Sequence, residues 1–200
     1  EPIASELQNG GNTRKLKRLF KRVTTWAVII TVPAVAVLWG FSDLFLSLFG
    51  TSFRAGQPVL LVLSLYPLVR IASGPTGELM QMTGYQNVVL FDTIGMVTIN
   101  VILNVALIPI LGTIGAAVAT TISIAAFELL VLYQVHVRFD FTPISTRYVL
   151  SLTMGAVLIA VIGSSSMLGL ALLQKMFLTL VALTAYTALV WQFAFEDFEK

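Results

Sequence analysis

Long apolar runs, separated by short polar segments, divide the chain into six stretches. Their approximate bounds are 24–41, 58–83, 87–109, 113–137, 148–166 and 174–195. A helix needs about 20 predominantly apolar residues to cross a ~30 Å hydrocarbon core at a rise of ~1.5 Å per residue. Each stretch approaches or exceeds that length. The pattern therefore predicts an all-α fold, a polytopic transmembrane bundle of about six spans.

The polar segments between the stretches predict further elements. Residues 12–23 read NTRKLKRLFKRV, with six Lys and Arg residues and no acid. Apolar residues recur there at helical spacing, which predicts a basic amphipathic helix at a membrane surface. The alternative, an arm that binds nucleic acid, is disfavoured because this helix runs directly into an apolar stretch. Residues 42–56 are too short and polar to span, and predict an interfacial helix plus a turn.

Composition supports a membrane setting and excludes several chemistries. Hydrophobic residues make up 57% of the 200 residues and charged residues 11%, whereas soluble domains carry roughly 25% charged residues. The chain has no cysteine and only one histidine, His136, which excludes disulfides and multi-histidine metal motifs. No nucleophile–base pair or phosphate-binding loop is present. We therefore predict no catalytic residue, no metal and no cofactor, and a protein that is not an enzyme.

The distribution of basic residues predicts the orientation. Nine of them fall on the side of the N-terminal segment: Arg14, Lys15, Lys17, Arg18, Lys21, Arg22, Arg138, Arg147 and Lys200. Only Arg54 and Lys175 fall on the opposite side. Because basic residues collect in cytoplasmic loops, both termini are expected in the cytoplasm and the chain in the cytoplasmic membrane. Residues 1–23 then form a cytoplasmic loop and amphipathic helix, 24–195 the spans, and 196–200 a cytoplasmic tail.

Apart from Lys175, at the very start of the last span, four charged residues fall inside the predicted spans: Arg70, Glu78, Asp92 and Glu128. Each costs at least ~2.5 kcal/mol at the bilayer centre, so each needs a reason. Arg70 is expected either to bind an anionic headgroup, because a guanidinium matches phosphate bidentately, or to pair with an acid on a neighbouring helix. Eight helical residues separate Arg70 from Glu78 by about 12 Å, too far for direct pairing. Asp92 and Glu128 are expected where water reaches.

Glycines and prolines mark candidate hinges and close contacts. Pro75 removes a backbone donor inside the second stretch, and Gly74 and Gly77 flank it, so the helix can bend or open there. Small residues repeat every four positions in the fourth stretch, which predicts close helix packing. The two rows are Gly112, Ala116 and Thr120, and Gly115, Ala119 and Ser123.

A polar stripe runs along the third stretch. Its members recur at every fourth position: Asp92, Met96, Asn100 and Asn104. Residues at that spacing share one helix face, and asparagines in lipid seek partners on other helices. Contacts between helices are the favoured interpretation of the stripe, and a substrate-facing surface is the alternative.

The order of four short motifs resembles a known family. They read EPIASELQNGGNTRKLKRLFKRVTTW, LSLFGTSFRAGQPVLLVLSL, SGPTGELMQMTGYQ and INVILNVALIPILGTIGAAVATTIS. Over residues 1 to about 135, the chain resembles the polysaccharide (O-antigen type) flippases of the multidrug/oligosaccharidyl-lipid/polysaccharide exporter superfamily. Residues 136–200 match that family only as two further helices.

The resemblance implies an architecture and partners. Family members have 12 to 14 helices in two lobes and flip lipid-linked oligosaccharides by alternating access. Residues 1–200 would be the C-terminal lobe of a larger transporter, its partners being membrane lipids, lipid-linked oligosaccharide and a missing N-terminal lobe. The hinge and structural positions of the matching motifs are Gly74, Pro75, Gly77, Pro109, Gly112 and Gly115. Arg70 lies outside the family pattern, and its phosphate role is an inference from its chemistry.

Three functions follow as hypotheses. The first is a flippase for lipid-linked oligosaccharide, with Arg70, Asn100 and Asn104 as substrate-binding candidates. The second is a cation-coupled multidrug exporter of the same superfamily, with Glu78, Asp92 or Glu128 as the coupling carboxylate. The third is a non-transporting membrane component of glycan assembly.

Overall fold

A computed structural model describes residues 10–139, 146–167 and 171–195 of the protein. These residues are helical apart from short turns, and none of them forms a strand. The helices are α1 (Gly10–Gly40), α2 (Ser42–Ser47), α3 (Gln57–Leu63), α4 (Leu65–Ser73), α5 (Thr76–Met82), α6 (Gln86–Leu111), α7 (Thr113–Phe139), α8 (Thr146–Met167) and α9 (Leu172–Phe195), with a 3₁₀ turn at Thr51–Gly56.

The predicted all-α membrane fold is confirmed. Among the described residues, five segments are long and apolar enough to cross a membrane: Phe20–Gly40, Thr51–Ser73, Gln86–Leu111, Thr113–Phe139 and Leu172–Val190. The fifth predicted span, 148–166, corresponds to α8, which has 22 residues and a shorter apolar part, Tyr148–Ser164. The predicted amphipathic helix and the first span form one helix, α1, with Pro33 inside it.

The helices form two compact units. The first contains α4 to α7 together with α1 as far as Thr24. The second contains α1 from Thr25 onward, α2, the 3₁₀ turn, α3, α8 and α9.

Helices α6 and α7 form the antiparallel hairpin of the first unit. Gly112 joins them with φ +60°, a left-handed conformation that favours glycine. Asn100 hydrogen-bonds Thr120 near the turn, whereas Asp92 hydrogen-bonds Gln134 far from it. This register is antiparallel.

Small side chains allow α7 to pack closely. Gly115, Ala119 and Ser123 are all buried, and a methyl group on Gly115 would overlap the backbone of Leu107 in α6. The close packing predicted from this row of small residues is therefore present. The apolar core of the unit lies further from the turn and comprises Phe20, Leu79, Met80, Val89, Val131 and Val135.

The second predicted span is interrupted, so the expectation of one helix over residues 58–83 is wrong. The segment consists of α3, α4 and α5, with a break at Gly74 and Pro75 between the last two. Gly74 has φ +73°, which an α-helix cannot contain. The Gly74 N–H donates to the Ile71 carbonyl oxygen at 3.0 Å. In a continuous helix that oxygen would accept a hydrogen bond from residue 75, but Pro75 has no N–H.

Close packing explains why a glycine occupies position 74. A Cβ atom there would lie 2.5 Å from the Thr24 hydroxyl and 3.0 Å from the Phe20 ring, both on α1. Only a residue without a side chain fits between the broken helix and α1.

In the second unit, polar contacts tie α1 and α2 to the two ends of α3. The Trp39 indole N–H donates to the Ser64 hydroxyl at 2.6 Å, and the Gln57 amide donates to the Ser42 hydroxyl at 2.8 Å. The helix and turn predicted over residues 42–56 correspond to α2 and the 3₁₀ turn, with Gly50 at φ +123° between them.

Gly115→Ala tests the close approach of α6 and α7. The added methyl group meets backbone atoms, which cannot rotate away, so we expect a loss of about 1–3 kcal/mol in unfolding free energy. Gly95→Ala is the matched control, because nothing lies within 4 Å of a Cβ atom at Gly95 in α6. Thermal unfolding of both variants in detergent, followed by circular dichroism, measures the difference. Equal stability of the two would contradict the close contact.

Candidate functional site

Three charged side chains meet at the helix break of the first unit. Arg70 lies near the end of α4, Glu78 in α5 and Glu128 in α7. The Arg70 Nη2 atom is 2.6 Å from Glu78 Oε1, and the Nη1 atom is 3.1 Å from Glu128 Oε1. One guanidinium therefore bridges two carboxylates that are 50 positions apart in the chain.

The direct pair between Arg70 and Glu78 corrects the expectation of a ~12 Å separation, which assumed a continuous helix. The left-handed backbone at Gly74 ends α4, and α5 begins in a new direction after Pro75. Because the helix rise no longer accumulates across the break, a carboxylate eight residues further along can fold back to the guanidinium.

Glu128 is the buried member of the cluster, with only 3% of the residue exposed. This differs from the expectation that water reaches it. The Ser73 hydroxyl hydrogen-bonds Glu128 Oε2 and also lies 2.9 Å from the Arg70 carbonyl oxygen. Ser73 is not among the candidate site residues predicted from the sequence. Its position one helical turn after Arg70, beside Gly74, is the signal that indicates it.

The two halves of the cluster differ in exposure. The side chain of Glu128 is 4% exposed, that of Arg70 34% and that of Glu78 54%. Exposed ion pairs contribute at most about 1 kcal/mol, whereas removing one partner of a buried pair is strongly destabilising. The contact between Arg70 and Glu128 therefore stabilises the fold. In the contact between Arg70 and Glu78, another anion can replace the carboxylate.

The candidate residues Asn100 and Asn104 form a separate polar group. The Asn104 amide donates to Asn100 Oδ1 at 2.9 Å, and the Asn100 amide donates to the Thr120 hydroxyl at 3.4 Å. These contacts agree with the favoured interpretation of the stripe as a contact between helices. Thr120 precedes Glu128 by eight residues on α7, so this group lies about 12 Å along the helix from the charged cluster.

Asp92 is separated from the other two carboxylates. Its Oδ2 atom accepts a hydrogen bond from the Gln134 amide at 2.8 Å. Gln134 follows Glu128 by six residues, or about 9 Å along α7. Gln134 was not identified from the sequence, although a polar side chain late in an apolar helix is a usable signal. The structure thus brings Glu78 and Glu128 together and leaves Asp92 apart.

The hinge candidates fall at two places in the fold. Gly74 and Pro75 form the break, and Gly77 is buried in the first turn of α5. Gly112 and Gly115 lie at the turn between α6 and α7, and Pro109 lies in the last turn of α6. Their role as hinges stays a prediction. Within the described ranges, no group of three or more Asp, Glu or His side chains could hold a metal ion.

Arg70→Met tests which carboxylate the cluster depends on. The substitution leaves Glu128 buried without a cation, and we expect a loss of about 3 kcal/mol in unfolding free energy. Glu78→Gln removes only the exposed partner and should cost less than about 1 kcal/mol. Chemical unfolding in detergent measures both.

The double variant Arg70→Met/Glu128→Met provides the control. Replacing both buried charges by apolar groups should recover much of the stability lost in Arg70→Met. Equal losses in Arg70→Met and Glu78→Gln would show that burial of Glu128 does not dominate.

Comparisons with known proteins point to flippases. No protein-family model matches the chain, and no solved structure matches it significantly. A "Probable low-salt glycan biosynthesis flippase Agl15" from Haloferax volcanii is 26% identical over 182 residues, which cover 88% of this chain and 38% of that protein. A "Probable flippase AglR" from the same organism is 32% identical over 136 residues, covering 64% and 28%.

The chain spans well under half the length of either relative. Both relatives are described as flippases, and the described part of this chain contains five helices of membrane-spanning length. Together these findings support a flippase-like, multi-pass membrane protein. The narrower resemblance to the polysaccharide (O-antigen type) family stays a prediction.

Proposed function

We propose that the chain is the C-terminal lobe of a flippase that moves lipid-linked glycan precursors across the cytoplasmic membrane by alternating access. The observation that carries the proposal is the similarity, over 182 residues, to a protein described as a glycan biosynthesis flippase. The other lobe belongs to the part of such a transporter that this chain does not cover. The relatives' description as flippases also favours a transporter over an enzyme.

The substrate phosphate binds Arg70 by exchange with Glu78 in this proposal. Glu128 and Ser73 hold the buried side of the cluster, so the guanidinium keeps its position when Glu78 leaves. The Arg70–Glu78 contact is solvent-accessible and costs little to break. A phosphate accepts two parallel hydrogen bonds from the N–H groups of a guanidinium. Glu78 then acts as the anion that occupies Arg70 between substrates.

Asn100 and Asn104 are the proposed contacts for the sugar hydroxyls. An amide side chain both donates and accepts hydrogen bonds, which suits hydroxyl groups. The 3.4 Å contact between Asn100 and Thr120 is long for a hydrogen bond, so it can be replaced by a substrate hydroxyl. The offset of about 12 Å along α7 from the charged cluster accommodates an extended headgroup with its phosphate at Arg70.

The break at Gly74 and Pro75 is the proposed hinge of the lobe. Domain movements in transporters use a few residues that absorb changes in backbone angles. Gly74 already has a left-handed conformation, and no helical hydrogen bond can be donated by Pro75. Movement there would separate Glu78 from Arg70 while leaving Glu128 paired.

Transport measured with Arg70 and Glu78 variants tests the proposed phosphate contact. Arg70→Lys keeps a cation for Glu128 but loses the fork geometry, and we expect roughly tenfold slower translocation of lipid-linked oligosaccharide. Glu78→Gln removes the competing anion and should leave translocation unchanged or faster. The assay follows the arrival of lipid-linked sugar in the outer leaflet, using the complete transporter.

Arg70→Ala completes the series. Normal translocation in both Arg70→Ala and Arg70→Lys would contradict the phosphate role. Absence of translocation in the unmodified protein would instead contradict the flippase function itself.

A second candidate, the cation-coupled exporter, is favoured by the charge balance of the cluster. Arg70 neutralises one of two carboxylates, so the group carries an excess negative charge when both are ionised. An exchangeable cation or proton could supply the missing charge. Glu78 and Glu128 are the coupling carboxylates in this alternative, because Asp92 lies apart from them.

Cation-dependent dye efflux from vesicles distinguishes the two candidates. For a flippase we expect no efflux driven by a Na⁺ or proton gradient. An exporter would give gradient-dependent efflux that Glu128→Gln abolishes, because the amide cannot exchange a charge. Asp92→Asn is the matched control, since Asp92 bonds Gln134 outside the cluster. Gradient-dependent efflux in the unmodified protein would overturn the expectation.

A further inference from the structure

A polar pocket lies in the second unit, between the α2 segment and the start of α9. Its volume is about 290 Å³. The 3₁₀ turn contributes Arg54, α2 contributes Asp43, and the first turn of α9 contributes Lys175. The charge distribution predicts that Arg54 and Lys175 lie on the same side of the membrane. The fold brings these two cations together at one pocket.

The charges of this pocket are not balanced internally. Neither Arg54 nor Lys175 forms a salt bridge or a side-chain hydrogen bond with any residue that the structure describes. Among the described residues, Asp43 is the only acid that lines the pocket. It lies in the first turn of α2, where a negative charge interacts favourably with the helix dipole. Two cations facing one carboxylate leave a net positive site.

The surface beside the pocket is apolar and unprotected. Leu48 and Phe49 are each 75% exposed and Phe53 is 56% exposed, with 6.2 Å between the two phenylalanine ring centroids. Such a patch is unfavourable in water but favourable against acyl chains. Lys and Arg side chains beside such a patch are stabilised when they reach the lipid phosphates.

We propose that this pocket binds the phosphate group of an anionic phospholipid from the surrounding leaflet. Arg54 and Lys175 donate hydrogen bonds to the phosphate oxygens, and the acyl chains lie against Leu48, Phe49 and Phe53. The net positive charge selects an anionic headgroup over a zwitterionic one. The site requires only a bilayer, so it is independent of the proposed transport function.

Native mass spectrometry of the detergent-solubilised protein, titrated with phosphatidylglycerol, tests the site. Arg54→Gln and Lys175→Gln should each weaken binding of the retained lipid about fivefold, the effect of one cation near a lipid surface. Asp43→Asn should strengthen it, a gain that loss of folding cannot produce. Arg138→Gln is the matched control, because Arg138 is exposed, lies over the Tyr85 ring and is not among the residues that line this pocket.

Three outcomes would overturn the proposal. The first is equal weakening by Arg54→Gln and Arg138→Gln, and the second is equally tight binding of phosphatidylcholine. The third concerns another source of the same phosphate chemistry. If an isoprenyl phosphate binds more than tenfold tighter than phosphatidylglycerol and depends on the same residues, the occupant is a carrier lipid and not a phospholipid.

Discussion

The carboxylate of Glu128 is buried on α7, and the arrangement of the first unit depends on supplying it with partners. Moving a charge out of water costs several kcal/mol, which only a close cation and further hydrogen bonds can offset. Arg70 provides the cation and Ser73 the hydrogen bond. Both lie on α4, so this helix has to pack against α7 with that face inward. The close fit of Gly74 against α1 then fixes where α4 ends.

Arg70 has a fixed contact with Glu128 and an exchangeable contact with Glu78. The proposed function depends on this difference between the two contacts. Burial makes the bond between Arg70 and Glu128 costly to lose, whereas Glu78 is exposed and lies beyond a hinge-like break. A single guanidinium can thereby keep its position while its second partner changes. In the flippase proposal the new partner is an anionic headgroup bound to Arg70. In the exporter alternative it is a cation bound to the carboxylates.

Other polar side chains in the apolar helices join α6 to α7 in this structure. Asn100, Thr120, Asp92 and Gln134 pair across the α6–α7 hairpin, where each hydrogen bond contributes only about 0.6 kcal/mol. Close packing at Gly115 adds dispersion contacts along the same interface. Polar groups in a membrane segment therefore do not all indicate a ligand. The charged cluster differs because its Arg70–Glu78 contact is an exposed ion pair that another anion can replace.

The sequence by itself determined the helical membrane fold, the close packing of α7 and the pairing face of Asn100, because span length, the spacing of small residues and helical periodicity are local properties. It also indicated that Pro75 interrupts regular structure. Only the tertiary structure decided that Arg70 meets two carboxylates, since the distance between residues eight apart depends on whether the helix continues between them. The left-handed backbone at Gly74 ends that helix, and a side chain from α7 completes the cluster. Contacts of this kind depend on packing between distant segments, which no local pattern encodes.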